Sequence, residues 1–142
     1  MERAVELHRP DLILHLGDVV RDARVLAGRF PEIPLEYVAG NCDGYGGDGA
    51  PPSKCLTVEG RTIFMTHGHP YQVKLSPYHA ILAAREAEAQ ILLFGHTHEA
   101  VCFQEGSLWV MNPGSARGPQ RPGCGVILLD RDAVECAAVP CS

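Results

Sequence analysis

Four short apolar runs, each leading into a polar tip that contains glycine, constrain the fold of this 142-residue chain more than any other feature. The tips are Gly17-Asp18, Gly40-Asn41-Cys42-Asp43, Thr66-His67-Gly68-His69 and Gly95-His96-Thr97-His98. A short and nearly continuous apolar run is typical of a buried parallel strand. Because ligands bind at the carboxyl ends of the strands in an open α/β sheet, the four tips are predicted to meet there.

Strand and helix patterns alternate along the chain and predict one α/β domain over residues 1–142, with no internal repeat or linker. Helices are expected at 1–8, 20–29 and 77–90, and strands at 12–16, 35–39, 54–58, 61–65, 91–94, 101–104, 107–111, 124–130 and 133–139. Residues 44–53 are rich in glycine and proline and are predicted to form a surface loop, in which Tyr45 is a candidate for the rim of a pocket.

The bulk composition argues against several classes of protein. A net charge of −5, without a cluster of Lys and Arg, argues against a nucleic-acid surface. Apolar runs such as Ile91 to Phe94 are far shorter than the ~20 residues of a membrane helix, and the N-terminus lacks the apolar core of a signal peptide, so a cytoplasmic protein with no membrane partner is expected. The six cysteines form no Cys-x-x-Cys pair, which disfavours structural zinc and a disulfide framework.

The tips supply five candidate metal ligands, which are Asp18, Asn41, His67, His96 and His98. A carboxylate, an amide oxygen and three imidazoles suit Zn, Mn, Fe or Ni, and they suit Ca poorly. Any one of these histidines alone is better explained by an ordinary hydrogen bond, but the four motifs together favour metal binding. In an extended segment His96 and His98 would lie about 7 Å apart on one side, which suits two ions about 3.5–4 Å apart.

These motifs, in this order, resemble those of the calcineurin-like metallophosphoesterases. Asn112-Pro113-Gly114-Ser115 narrows the resemblance to the small bacterial and archaeal phosphodiesterase subgroup, which is related to a retromer subunit. The resemblance covers essentially the whole chain. It implies a β-sandwich flanked by helices, with a binuclear metal centre at one edge.

The resemblance also implies a role for each ligand. Asp18 would bridge two divalent ions (Mn, Ni, Fe or Zn), Asn41, His67 and His96 would complete the shell of one ion, and His98 would bind the other. A metal-bridging hydroxide would then attack the phosphorus of a small phosphate ester, so that the protein needs no nucleophile of its own.

Two further residues are catalytic candidates, Cys42 and Asp43. Many relatives carry a histidine at the position of Cys42, where it protonates the leaving oxygen or holds the phosphate, and the acid that follows orients it. A thiol with a pKa of about 8.5 is a poorer proton donor and a poorer cation near neutral pH. The small phosphodiesterase subgroup often shows such a replacement, so Cys42 fits that subgroup and points to phosphodiesters with good leaving groups.

The chain departs from the family pattern in one respect. The family begins with a strand that ends in Asp-x-His and holds the metal shared with His98, yet only 17 residues precede Asp18, whereas a strand–helix–strand unit takes roughly 30. Neither Asp11 nor His15 is placed to replace that pair. The expectation is therefore an N-terminally truncated domain with an impaired site, explained by an overlooked upstream start or a truncation and testable by intact mass.

Three alternatives stay open. A non-catalytic scaffold like the retromer subunit would keep this fold, and a remnant that binds a single metal would differ in its stoichiometry. His69 lies close to the site, and the sequence leaves open whether it faces substrate or makes a structural hydrogen bond. The sequence also leaves the metal, the substrate and the oligomeric state open, a homo-oligomer included.

Overall fold

A computed structural model describes residues 1–43, 49–117 and 121–141, so the predicted rim residue Tyr45 lies outside the described residues. The helices are α1 (Glu2–His8), α2 (Val20–Arg29) and α3 (Tyr78–Glu86), and a short 3-10 helix covers His69–Tyr71. The strands are β1 (Ile13–His15), β2 (Leu35–Tyr37), β3 (Ser53–Val58), β4 (Arg61–Thr66), β5 (Ile91–Phe94), β6 (Val101–Glu105), β7 (Leu108–Asn112), β8 (Gly123–Leu129) and β9 (Val134–Pro140).

A five-stranded mixed sheet forms the centre of the molecule, in the order β3-β4-β5-β7-β6. The three inner strands run parallel, with Met65 opposite Leu93 and Leu93 opposite Met111. The outer strands β3 and β6 pair antiparallel with their neighbours. Two smaller sheets are present, the parallel pair β1-β2 and the antiparallel hairpin β8-β9.

Both faces of the central sheet are covered, because successive side chains of its inner strands point to opposite sides. On one face, Leu92 and Phe94 of β5 pack with Ile81 of α3. On the other face, Ile91 and Leu93 form a second core with residues of β1, β8 and β9. The result is a β-sandwich flanked by helices, so the predicted fold class is confirmed.

The predicted boundaries hold best for α2 and β5, and the third helix shows the largest error. It ends at Glu86 instead of Gln90, because Glu88 has a left-handed backbone (φ 55°) and turns the chain toward β5. The Gln90 side chain accepts a hydrogen bond from the Thr62 N–H (2.6 Å), and its own N–H donates to the Thr62 carbonyl (2.9 Å). These bonds tie the residue to β4 in place of the helix.

The carboxyl ends of β1, β2, β4 and β5 meet at one edge of the sandwich. Val38 donates its N–H to the His15 carbonyl (3.1 Å), which extends the β1-β2 ladder toward that edge. Gly95 donates its N–H to the His67 carbonyl (3.0 Å), which aligns the ends of β4 and β5. Across the described segments, no helix combines the length and the apolar character that a membrane crossing requires.

Candidate metal centre

Four of the five predicted ligands come together at this edge. Asp18 follows β1, Asn41 follows β2, His67 follows β4 and His96 follows β5. Ligand atoms of Asp18, His67 and His96 all lie within 4.8 Å of one another. Residues that are far apart in sequence therefore converge because parallel strands end at a common edge.

His67 is the centre of the cluster, and its tautomer follows from its neighbours. The side chain is 2% exposed, and Nδ1 lies 2.8 Å from the Leu16 carbonyl, which can only accept a proton. When the ring is neutral, Nδ1 therefore carries the hydrogen and Nε2 presents a lone pair. Around Nε2 lie Asn41 Oδ1 at 3.0 Å, His96 Nδ1 at 3.1 Å and Asp18 Oδ2 at 3.4 Å.

This arrangement fits a cation better than it fits internal hydrogen bonds. Oδ1 of Asn41 and Oδ2 of Asp18 offer only lone pairs, and they face the lone pair of His67. Even if His67 were protonated, its Nε2 would carry a single N–H to share among Asn41, His96 and Asp18. Ligands about 2.1 Å from a metal ion lie about 3.0 Å apart in octahedral geometry and about 3.4 Å apart in tetrahedral geometry. The observed separations of 3.0 to 3.4 Å match this range.

The Asp18 carboxylate is positioned by a tightly packed turn. Oδ1 accepts the Cys42 N–H (3.0 Å), which leaves Oδ2 to face His67. Gly17, Asp18 and Val19 all have left-handed φ values (95°, 53° and 62°), and this conformation is strained for a β-branched residue. A Cβ atom at Gly40 would lie 2.2 Å from Asp18 Oδ1, so the two turns approach as closely as they do because residue 40 is glycine.

Asp43 joins the same two turns from outside the cluster. Its Oδ1 accepts the Val20 N–H (2.7 Å) at the start of α2, and its Oδ2 accepts the Gly40 N–H (2.8 Å). Both carboxylate oxygens thus bind the backbone beside metal ligands. In this structure Asp43 is a positioning residue, and its predicted catalytic role stays a prediction.

Asn112 holds the tip that carries His96. The side chain is fully buried, and its Nδ2 donates to the Gly95 carbonyl (3.0 Å) and to Thr97 Oγ1 (2.9 Å). Its Oδ1 accepts the Gly114 N–H (2.9 Å). In the sequence, the Asn-Pro-Gly-Ser motif narrows the family resemblance. In the structure, its asparagine also stabilises the tip that carries His96.

The expectation of an extended segment at His96 and His98 is wrong. Both residues have left-handed φ values (66° and 61°), and the Thr97 N–H donates to the Gly95 carbonyl (2.7 Å), so the chain turns after β5. His96 joins the cluster, whereas the exposed His98 is not part of it. Burial lowers the pKa of His96, and His67 and Lys74 lower it further, which keeps the imidazole in its neutral, ligating form at neutral pH.

Cys42 lies at the open side of the cluster, where its thiol is exposed. The negative charge of Asp18 raises the pKa of this thiol above its ordinary value, with smaller contributions from burial and from a hydrogen bond to Asp18. The thiol is therefore protonated near neutral pH. It can donate a weak hydrogen bond, but it brings no positive charge to the site.

Sequence reasoning missed several groups that support the cluster. The Leu16 carbonyl that orients His67 is a backbone group, so no residue type could signal it. His15, which is not itself a ligand, accepts the Gly17 N–H at Nδ1 (3.2 Å) and so braces the turn that carries Asp18. Lys74 acts electrostatically on both Cys42 and His96, although it lies seven residues beyond His67 in no recognisable motif.

Comparison with known proteins identifies the class to which this fold and site belong. The sequence profile of the calcineurin-like phosphoesterase superfamily domain matches residues 1–133. The chain is 33% identical over 127 residues to a probable metallophosphoesterase of Bacillus subtilis, YsnB, and the match covers 87% of this chain and 71% of that protein. The chain therefore belongs to the calcineurin-like phosphoesterase superfamily, as its motifs predicted.

Solved structures agree in fold. A predicted phosphoesterase from Streptococcus pneumoniae has a TM-score of 0.79 at 25% identity, covering 99% of this chain and 80% of that one. Vps29 of Entamoeba histolytica, solved with Zn²⁺, has a TM-score of 0.73 at 21% identity, covering 97% and 89%. A novel archaeal phosphodiesterase has a TM-score of 0.65 at 20% identity, covering 95% and 87%. At such identities the last two matches establish shared architecture alone.

Proposed function

We propose that this chain is a metal-dependent phosphodiesterase that hydrolyses a small phosphodiester with a good leaving group. The observation that carries the proposal is the convergence of Asn41 Oδ1, Asp18 Oδ2 and His96 Nδ1 on His67 Nε2, at 3.0 to 3.4 Å. Membership of a phosphoesterase superfamily supports hydrolysis as the reaction.

The donor set fits a borderline divalent ion such as Mn, Fe, Ni or Zn, because it combines imidazole nitrogens with carboxylate and amide oxygens. When bound, such an ion would neutralise charge on the phosphoryl oxygens and make a water molecule a usable nucleophile near neutral pH. The chain itself orients the ligands, since Leu16 fixes the ring of His67 and Cys42 fixes one oxygen of Asp18.

The preference for diesters rests on Cys42. A phosphomonoester reaches the site as a dianion at neutral pH, whereas a diester carries a single charge. The protonated thiol adds no cation that would favour the dianion, and it is a weak acid for a poor leaving group. Both properties favour a singly charged ester whose leaving group departs without strong protonation.

We propose two divalent ions per active centre, of which the described residues define one well. Among the described residues, His98 and a carboxylate oxygen of Asp18 would be the ligands of a second ion. Because His98 is exposed and lies outside the cluster, we expect this second ion to bind more weakly. Metal titration followed by equilibrium dialysis should give one tight and one weaker equivalent, whereas a single equivalent at every concentration would support a mononuclear site.

The direct test is manganese-dependent hydrolysis of an aryl phosphodiester, with the matching aryl phosphomonoester as the comparison substrate. Because the second ion is expected to bind weakly, we expect the site to be impaired and turnover to be slow; it should depend on added Mn²⁺, disappear with chelator and favour the diester in kcat/KM. His8→Asn is a suitable control, because His8 lies exposed at the end of α1, away from the site. Faster hydrolysis of the monoester would refute the diester assignment.

Cys42→His tests the role of the thiol. A histidine there can carry a charge and protonate a leaving oxygen, so we expect kcat to rise several-fold, with the larger gain on the monoester. The same change at Cys55, an exposed thiol on β3, serves as the control. Unchanged or lower turnover in the Cys42 variant would argue against a leaving-group role for position 42.

A non-catalytic scaffold is the second candidate, supported by the shared fold with Vps29. The two functions can be distinguished by measuring metal binding and ester hydrolysis together. A scaffold predicts tight metal binding, or none, together with no hydrolysis of either aryl ester at any metal concentration. The enzyme predicts that metal occupancy and turnover rise together.

A further inference from the structure

The clustered metal ligands are supplied by two sheets that share no ladder in the described part of the chain. Asp18 and Asn41 follow the strands of the β1-β2 pair, whereas His67 and His96 follow β4 and β5 of the central sheet. Within a sheet, regular backbone hydrogen bonds fix neighbouring strands to each other. Between these two sheets, the spacing of the ligands depends instead on side-chain contacts near the site.

The turn that carries Asp18 leads directly into α2, so the position of this ligand is coupled to the position of the helix. Asp22 lies in the first turn of α2, and its N–H donates to the Val19 carbonyl (2.8 Å). The Asp22 side chain is only 15% exposed. A carboxylate that has lost most of its water needs a partner, because burial of an unpaired charge is costly.

Arg117 belongs to the segment that follows Asn112, the residue that anchors the tip after β5. Oδ1 of Asn112 accepts the Gly114 N–H (2.9 Å), and the Ser115 carbonyl accepts the Gly123 N–H (2.9 Å). Ser115 Oγ accepts the N–H of Arg117 itself (3.2 Å). The backbone that leads to Arg117 is therefore fixed to the end of β7 and to the start of β8.

An ion pair joins this segment to α2. Nη2 of Arg117 lies 2.9 Å from Oδ2 of Asp22, which is the length of a charge-assisted hydrogen bond. On the β3 side of the molecule, Lys54 of β3 and Glu36 of β2 make a second bridge of this kind (2.8 Å). The β1-β2 sheet and its helix are thus held to the central sheet from the β3 side and from the β7 side.

A cleft lies between α1, α2 and residues 116–117, and its volume is about 650 Å³. Asp22, Leu26 and Arg117 are among the residues that line it. Because side chains do not fill this space, apolar packing does little to hold the Arg117 segment against α2. The ion pair spans the cleft where packing does not.

We propose that Arg117 and Asp22 are a positioning pair for the metal site, whose ion pair holds the Asp18 turn at ligand distance from His67 and His96. This inference rests on the metal-binding part of the proposed function. The pair acts through the backbone of α2 and through the segment after Asn112, and neither residue is a ligand. Without the pair, only a fraction of the molecules would have the ligands aligned, and the apparent metal affinity would fall in proportion.

The test is isothermal titration of the whole chain with Mn²⁺, and the direction of the effect is diagnostic. A positive charge repels a divalent cation, so its removal alone would strengthen Mn²⁺ binding. We expect the opposite, about threefold to fivefold weaker binding in Arg117→Gln, which is the range for loss of a partly exposed ion pair. Arg117→Lys should restore part of the loss, because it keeps the charge without the planar fork.

Salt provides a second readout. The Arg117 side chain is 70% exposed, so salt can screen its charge. The difference in Mn²⁺ affinity between the unmodified chain and Arg117→Gln should therefore shrink at about 1 M NaCl. An affinity difference that is the same at low and high salt would contradict an ion pair as its source.

A double-mutant cycle assigns the effect to the pair. Asp22→Asn should also weaken Mn²⁺ binding, and the Asp22→Asn/Arg117→Gln variant should lose less than the two single losses combined, because both changes remove one interaction. Arg29→Gln is the matched control. Arg29 ends α2 and pairs with Glu2 (3.4 Å), so this change removes an ion pair from the same helix far from the Asp18 turn. The control should bind Mn²⁺ normally.

Equal or tighter Mn²⁺ binding in Arg117→Gln would overturn the proposal, and so would fully additive losses in the double variant. Denaturation in chelator separates positioning from general stability. A lower free energy of unfolding in Arg117→Gln with unchanged Mn²⁺ affinity would make the pair an ordinary stabilising contact and would also count against the proposal.

Failure of the proposed function gives a different pattern. If Mn²⁺ affinity depends on Arg117 but neither aryl ester is hydrolysed, the phosphodiesterase assignment fails and the positioning pair stands. If the diester is hydrolysed and Arg117→Gln binds Mn²⁺ normally, the pair is refuted and the function stands. A chain that binds no Mn²⁺ refutes both.

Discussion

The metal site has two parts, a floor and a rim. The floor comprises the clustered ligands Asp18, Asn41, His67 and His96 together with Asn112, and the rim comprises Cys42 and His98. Both parts contain histidines, but their side chains are held in different ways. His67 on the floor is 2% exposed, and a backbone carbonyl fixes its ring through Nδ1. His98 on the rim is also a histidine in a tip that follows a strand, yet it is exposed and lies outside the cluster. Both residues are histidines, so residue type does not distinguish them. His67 is a preorganised metal ligand because it is buried and has a defined hydrogen-bond partner, whereas the exposed His98 is not held in place in this way.

The same contrast separates the supporting residues. Asn112 is fully buried on the floor and uses both ends of its amide to hold other backbone segments. Cys42 and His98 on the rim are exposed to solvent. The floor should therefore set metal affinity, whereas the rim should set substrate choice.

Removal of His67 should have the largest effect. His67→Ala deletes the ligand that contacts all the other ligands of the cluster, so we expect metal affinity to fall by at least about 100-fold, more than the usual cost of losing a supporting residue. His98→Ala should lower the affinity of the tight site by less than about threefold. Isothermal titration with Mn²⁺ and metal analysis after dialysis measure both. Equal losses in the two variants would erase the distinction between floor and rim.

Gly40→Ala should have the next largest effect, because the added methyl group would lie 2.4 Å from the Asp18 backbone nitrogen as well as 2.2 Å from its carboxylate. The backbone cannot yield as a flexible side chain would, so the turn that carries Asp18 must shift. We expect about 10- to 100-fold weaker metal binding, and destabilisation of about 1–3 kcal/mol in chemical denaturation with chelator present.

Gly28→Ala provides the matched control for that substitution. Gly28 lies within α2, and a Cβ there would meet nothing within 4 Å. Alanine is favoured over glycine inside a helix by about 0.5–1 kcal/mol, so this variant should be slightly more stable and bind metal normally. Normal metal binding in Gly40→Ala would show that the close approach of the two turns is dispensable.

The sequence predicts the floor better than the rim for a physical reason. Apolar runs report buried strands, and the tips of buried parallel strands must converge, so Asp18, Asn41, His67 and His96 can be grouped from the residue pattern alone. The inclusion of His98 in that group assumes an extended segment. Nothing in the residue types reveals the left-handed turn at His96, which depends on the tertiary bonds of Asn112.

The misplaced end of α3 has a similar origin. Residues 87–90 have good helix propensity, but Gln90 is bound to Thr62 of β4, and this tertiary contact outweighs a local preference of a few tenths of a kcal/mol per residue. The effect of Lys74 on the pKa of His96 could not be predicted from any motif either, because it depends on how the chain folds.

Asn112→Ala should have a smaller effect than either substitution at a ligand or at Gly40. It removes the bonds to the Gly95 carbonyl and Thr97 Oγ1 and leaves buried groups unpaired, at a cost of about 1–3 kcal/mol in the free energy of unfolding. Because these bonds fix the tip that carries His96, metal affinity should fall about tenfold. Gln104→Ala, which truncates an exposed amide on β6, should change neither quantity. Loss of stability without loss of metal affinity would confine Asn112 to a role in the core.

The smallest expected effect concerns His15 and pH. Burial lowers the pKa of His15, while Asp22, Asp43 and Asp18 oppose the shift and His67 adds to it. The unfolded chain therefore binds a proton more readily than the folded chain, so stability should fall as the pH drops below about 6.5 toward the folded-state pKa. His15→Gln keeps an acceptor for the Gly17 N–H and cannot titrate, so its stability should change less over this window. Denaturation in chelator at pH 7.5 and 5.5 measures the difference. Equal losses of stability in both proteins would exclude His15 as the source of the acid sensitivity.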